Sequence, residues 1–180
     1  HAAGDMLLRS TSEALVQACD QHDLVARWDG ATFLVVRDNT SQASAFALAA
    51  HLCRSIERLQ VAAAPGQYVT PSISAGVAPH PLFPGAKPRR IDTLRAASRA
   101  LQVARRSGKG SWAGLWGLAE GNGVDIYSVL HDPEQALAQG WVAIGGGRPM
   151  SWAPPRDTGT GPLQSAPAPR RPGAASGDRN

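Results

Sequence analysis

Lysine is nearly absent from this 180-residue chain: 16 arginines stand beside only 2 lysines and 14 acidic residues, for a formal net charge of +4. An excess that small does not argue for a nucleic-acid partner. Cysteine is scarce too. Two residues, Cys19 and Cys53, exclude a disulfide-dense secreted scaffold and a four-cysteine zinc site. Both fall among apolar neighbours on predicted helix faces, where buried, reduced thiols of a cytoplasmic protein are expected. No apolar run approaches the roughly 18–20 residues of a membrane span, so no membrane crossing is expected within this chain. The five histidines are scattered without zinc-ligand spacing, and His22 reads as an ordinary polar residue. The chain opens at His1 without a signal-peptide pattern and reads as a fragment. What remains, 43% hydrophobic and 18% charged, is enough for one domain core with an appendage.

Along the chain, Leu8, Leu15 and Cys19 recur at helical spacing between Asp5 and Gln21, with Met6 and Val16 broadening the stripe. Two β-prone runs follow, Leu24–Trp28 and Ala31–Val36, separated by Asp29-Gly30. This pattern predicts a hairpin with a type I′ turn. Ser41 to Leu59 places Phe46, Ala47, Ala50, Cys53 and Ile56 on one helical face. Tyr68–Ala78 reads as a strand, and 79–90, with four prolines, as a long loop. Asp92 is the expected N-cap of a helix carrying Leu94, Ala97, Leu101 and Ala104 and stopped by Gly108. Ser111–Trp116 reads as a strand with Trp112 and Trp116 on one face. Asp132-Pro133-Glu134-Gln135 has the features of a helix start, Gly140 ends that helix, and Trp141–Ile144 gives one more strand. Gly145-Gly146-Gly147 lacks the Lys-Ser/Thr of a phosphate loop and reads as a linker. The last 30 residues hold six prolines and four glycines and read as a disordered tail, with Pro167 to Pro172 resembling a polyproline segment. The element order points to an α+β fold with a mainly antiparallel sheet.

Four segments in register carry a family resemblance. His1-Ala2-Ala3-Gly4-Asp5 opens a helix, and Asp23-Leu24-Val25-Ala26-Arg27 leads into a hairpin bearing a five-residue motif. Ser74-Ala75-Gly76-Val77-Ala78 follows, and then Ala100-Leu101, Ala104-Arg105 and Gly108-Lys109. Over residues 1 to 116 the chain resembles the GGDEF domain of diguanylate cyclases, of the nucleotidyl-cyclase fold class. The resemblance does not cover the rest: 117–147 read as a small C-terminal extension and 148–180 as the tail. The resemblance implies that the family's first strand and helix would precede His1. That strand lies inside the family's sheet. Without it, an internal gap, self-association, or a filling of the gap by Trp141–Ile144 beside Ala31–Val36 is expected.

The family condenses two GTP into cyclic di-GMP, with Mg²⁺ held by carboxylates that include the third residue of the hairpin motif; the fourth, a Glu, is needed for turnover. Here the motif is Asp29-Gly30-Ala31-Thr32-Phe33, so both acids are replaced. Asp29 adds negative charge near the phosphates, and Gly30 still allows close backbone approach. For substrate, Asp5 is either the guanine contact of the family or a first-turn acid favoured by the helix dipole. Arg105 and Lys109 stand where the family's phosphate-binding Lys and following Arg are expected, or form a solvated basic helix end. In the family an Arg-x-x-Asp pair binds cyclic di-GMP as an inhibitor. Here Asp20 replaces the Arg while Asp23 is kept, which reverses the key charge.

These features give a degenerate GGDEF domain without catalysis: a signalling or interaction module of the cyclic di-GMP network, cytoplasmic, with no metal or cofactor. The alternatives are a diguanylate cyclase using Mg²⁺, and a protein-interaction module built on the Trp112 and Trp116 face. The resemblance implies a second copy or another GGDEF domain as partner, and residual GTP binding.

Overall fold

A computed structural model describes residues 2–87, 89–118 and 123–147. The predicted tail, including its polyproline segment, and His1 lie outside these residues. The elements, in order, are α1 (Ala2–Ala18), β1 (Leu24–Asp29), β2 (Thr32–Val36), α2 (Gln42–Glu57), β3 (Val61–Ala64), β4 (Gln67–Val69) and β5 (Ala75–Val77). They are followed by α3 (Arg90–Arg106), β6 (Trp112–Gly117), α4 (Ile126–His131), α5 (Pro133–Ala138) and β7 (Val142–Gly146). This is an α+β architecture, and three of its four strand pairings are antiparallel.

One apolar cluster joins α1 and α2 to the first hairpin: Leu15, Leu52 and Ile56 are buried, with Val25, Phe33 and Val35 packed against them. The stripe on α1 runs through half-buried Leu8 and buried Thr11 and Leu15. Met6 and Val16, expected to broaden it, face outward instead. The α2 face is rotated in the same way. Ala49, Leu52, Cys53 and Ile56 are buried, Ala47 is exposed, and Ser41 caps the helix by accepting from the Ser44 amide at 3.1 Å.

The β1–β2 hairpin forms, but its turn is shifted from the type I′ arrangement expected at Asp29-Gly30. Asp29 pairs with Thr32, and the register slips between Arg27 and Asp29. The turn residues are therefore Gly30 and Ala31, and of these only Gly30 has positive φ, at 49°. Trp28 is the extra residue of a bulge, unopposed between the Arg27–Phe33 and Asp29–Thr32 pairs.

The expected strand Tyr68–Ala78 is instead two short strands in different sheets. Pro71 lies between β4 and β5, and proline has no amide to donate to a ladder. β4 pairs with the unforeseen β3 across a Pro65-Gly66 turn. Asp92 is not the N-cap of α3. Arg89 holds that position without a side-chain cap bond, and Asp92 is buried in the first turn between Arg89 and Arg95.

The second cluster lies between α3 and a three-stranded sheet in which β6 is flanked by parallel β5 and antiparallel β7. Trp112 and Trp116 share one face of β6, where the α2 Phe46 ring meets them at 5.0 and 5.9 Å. The glycine run is no linker. Gly145 and Gly146 belong to β7, and a Cβ at Gly145 would come within 2.6 Å of the Phe46 ring. Asp132 caps α5 as expected, accepting from the Gln135 amide at 3.0 Å. Asp125 caps the unforeseen α4 through the Tyr127 and Ser128 amides.

The Trp141–Ile144 segment does not lie beside β2. Its strand pairs with β6, on the edge away from β5. Among the described residues, β2 and β5 therefore each keep one edge without a hydrogen-bonded neighbour. No helix among the described residues is long and apolar enough to cross a membrane.

Candidate functional site

A cavity of about 350 Å³ opens between α1 and the β1–β2 hairpin. This is within the roughly 300–1,000 Å³ of small-molecule sites. Asp5 and Leu8 come from the first turns of α1, Arg27 from β1 and Phe33 from β2, with Arg9, Ser12 and Glu13 completing the wall. The helix presents Asp5, Leu8, Arg9 and Ser12 together because residues three and four apart share a face. Arg9 and Glu13 pair at 3.0 Å, but both are largely exposed, so the pair contributes little stability. Arg27 donates from Nε to the Gly30 carbonyl at 2.8 Å, tying the cavity wall to the motif turn.

Two of the expected site residues, Asp5 and Phe33, thus meet in one cavity. Gly30 adjoins it through Arg27. Asp29 and Ala31 are exposed around the turn, and Thr32 starts β2 half-buried. Arg105 and Lys109 do not line this cavity. They are exposed at and just beyond the C-terminal end of α3, where positive charge complements the helix dipole.

The Asp20–Asp23 segment holds a partner that the sequence did not disclose. Arg37, directly after β2, donates from Nε to Asp23 Oδ1 at 2.7 Å and from Nη2 to Asp23 Oδ2. The same Nη2 lies 2.8 Å from Asp20 Oδ2. The Asp23 side chain is 3% exposed, while that of Asp20 is 76% exposed. The Arg37 hydrogen bonds hold the Asp23 carboxyl below the usual aspartate range, and Asp23 in turn raises the guanidinium. Burial, with Asp23 nearby, pushes the Cys19 thiol up. Arg37 is 14 residues from Asp23, at the end of an apolar strand, and no local pattern marks it as a partner.

The family model for "Diguanylate cyclase, GGDEF domain" matches residues 1–111. This chain belongs to the GGDEF family. Among curated proteins, it is 29% identical over 109 residues to diguanylate cyclase DosC of Escherichia coli strain K12 and to that of Shigella sonnei; each match covers 61% of this chain and 23% of the relative. Diguanylate cyclase A of Treponema denticola is 32% identical over 77 residues, covering 43% of this chain and 20% of that protein. The chain therefore spans less than a quarter of the length of the relatives it matches. No solved structure matches it.

The matched part of this GGDEF domain contains the cavity, the motif hairpin and the Arg37 cluster; β6, α4, α5 and β7 lie beyond it. At the motif turn, Ala31 has no side-chain oxygen, and Thr32 offers one neutral hydroxyl. Hard divalent cations take several oxygen ligands, with carboxylates foremost. Of residues 29–32 only Asp29 carries a carboxylate, and it is exposed. Among the described residues, no three His, Cys, Asp or Glu side chains are grouped to hold a metal ion.

Proposed function

We propose that this GGDEF domain is non-catalytic and acts as a signalling or interaction module in the cyclic di-GMP network. The observation that carries this reading is the motif turn, which presents a methyl group and a neutral hydroxyl where the cyclase reaction calls for two carboxylates. Metal-assisted displacement relies on cations that stabilise the attacking and leaving oxygens, a contribution of several kcal/mol. No such step is assigned to this hairpin. The fold around it is kept, which suits a domain that binds and transmits rather than turns over. The cavity at Asp5 is the place for residual guanine nucleotide binding, and a second copy or another GGDEF domain is the partner in a cytoplasmic setting. Incubation of the chain with GTP and Mg²⁺ or Mn²⁺, followed by chromatography, is expected to yield no cyclic di-GMP above a buffer control. Steady turnover would overturn the reading and return the chain to the cyclases.

Cyclic di-GMP is also expected to bind weakly or not at all at the Asp20–Asp23 segment. Asp20 repels its phosphates, and Arg37 is already engaged by both aspartates. Asp20→Arg alone would bring a second guanidinium to a carboxylate that Arg37 holds. The double change Asp20→Arg with Arg37→Leu is therefore expected to strengthen binding more than Asp20→Arg alone. Calorimetry checks both: a micromolar dissociation constant for the unaltered chain, or equal effects of the two changes, contradicts this account.

A further inference from the structure

A second cavity, of about 360 Å³, lies away from the motif hairpin, between the C-terminal half of α3, the start of α5 and β7. Val103, Leu137 and Ile144 give it an apolar floor, and Arg106 and Glu134 stand on its rim with opposite charge. All three floor residues are only half-buried. Next along β7 on the face of Ile144 is Gly146, which has no side chain to cover the floor.

We infer that this groove is filled by the chain's own segment Arg148–Asp157, with Trp152 seated on the Val103, Leu137 and Ile144 floor. The described chain leaves the sheet beside the start of β6, where the Gly147 amide donates to the Trp112 carbonyl at 3.2 Å. From Gly147 to Trp152 is five residues, a reach of up to about 17 Å in extended chain. That is enough to turn back over a floor whose edge, Ile144, is three residues before Gly147. The composition of the segment fits the groove. Trp152 and Met150 are, with Leu163, the only large apolar residues after Gly147. Arg156-Asp157 brings one charge of each sign to Glu134 and Arg106. Pro149, Pro154 and Pro155 restrict the free segment and so lower the entropy lost on docking. A tryptophan on an apolar floor is the kind of anchor that dominates small interfaces.

The test uses the full chain labelled with 5-fluorotryptophan, which gives fluorine signals from five tryptophans, with Trp152 assigned through Trp152→Phe. The Trp152 signal is expected to be displaced from the solvent-exposed position and unchanged on dilution. Leu137→Arg should return it to that position, and Glu134→Lys on the exposed rim should move it part of the way. If Leu137→Arg unfolds the protein, seen as collapse of the other four signals, Glu134→Lys decides. A solvent-exposed Trp152 signal in the unaltered chain overturns the inference, as does a displacement indifferent to the groove variants. A displacement that grows with concentration overturns it in favour of a second copy as the occupant.

Discussion

Gly76→Ala is expected to cost about 3 kcal/mol, at the upper end of what overpacking a folded interior costs. A Cβ at Gly76 would lie 2.1 Å from the Ala97 carbonyl oxygen and 2.4 Å from the Leu101 amide nitrogen. Both obstacles are backbone atoms of α3, so no side chain can swing aside. The helix cannot retreat cheaply either. It reaches the sheet through Ala96, Ala100 and Ala104, all buried, and β5 is held in register by Gly76 opposite Ala113 of β6. For a chain of this size, the loss corresponds to a Tm lower by about 6–12 °C. Gly4→Ala is the control, since a Cβ there meets nothing within 4 Å. In the first turn of α1 it should leave stability unchanged or raise it by up to about 1 kcal/mol. Urea denaturation with unchanged slope measures both. A cost below about 1 kcal/mol for Gly76→Ala would mean that α3 is not seated on β5.

The same contact explains what could and could not be read along the chain. The Ser41 cap and the Asp132 start of α5 depend on neighbours in sequence and stand where local chemistry puts them, as do the two hairpin strands, though their turn is shifted by one residue. The α3 face does not. Ile91, Leu94, Leu101 and Val103 are the large apolar residues of that helix, yet alanines fill the buried face, because a glycine on the facing strand admits the helix backbone. Helical period was legible; which face wins was decided by space on another element. β3 was hidden for a related reason, since Ala62-Ala63-Ala64 has little strand propensity of its own and forms a strand by pairing with β4. The place of β7 beside β6 depends on a sheet edge about 30 residues upstream, which periodicity cannot encode. At the candidate site, the neutral Ala31 and Thr32 were plain in the sequence, and so was Asp20 three residues before Asp23. The guanidinium that answers it, from the far end of the hairpin, was not.

That guanidinium is expected to matter for stability. Arg37→Met removes both charged hydrogen bonds to a carboxylate that is 3% exposed and leaves it only the Asp20 amide, which donates to Oδ2 at 2.8 Å. Breaking a fully buried pair costs about 3–5 kcal/mol; here roughly 2–3 kcal/mol is expected, because some water reaches the pair. The Arg37 side chain keeps 23% of its exposure. Asp20→Asn should cost less than about 1 kcal/mol, since that carboxylate is mostly solvated. The pH dependence distinguishes a charge pair from lost packing. In the unaltered chain Asp23 titrates below its unfolded value, mainly through the Arg37 hydrogen bonds. Its contribution is therefore fully present above the unfolded aspartate value, about 3.9, and is lost as pH falls through the lower folded value. In Arg37→Met the buried carboxylate has no counter-charge, and burial raises its folded value, so protonation relieves the variant while it weakens the parent. The stability difference between the two should be constant from pH 7 to about 5 and shrink as pH falls below about 4. Asp23→Asn should remove most of the effect of Arg37→Met when the two are combined, because the pair is then already broken. Paired urea melts at each pH give the answer. A difference that stays flat down to pH 3, or additive costs in the double variant, would show that Arg37 acts through its aliphatic stem and not through its charge.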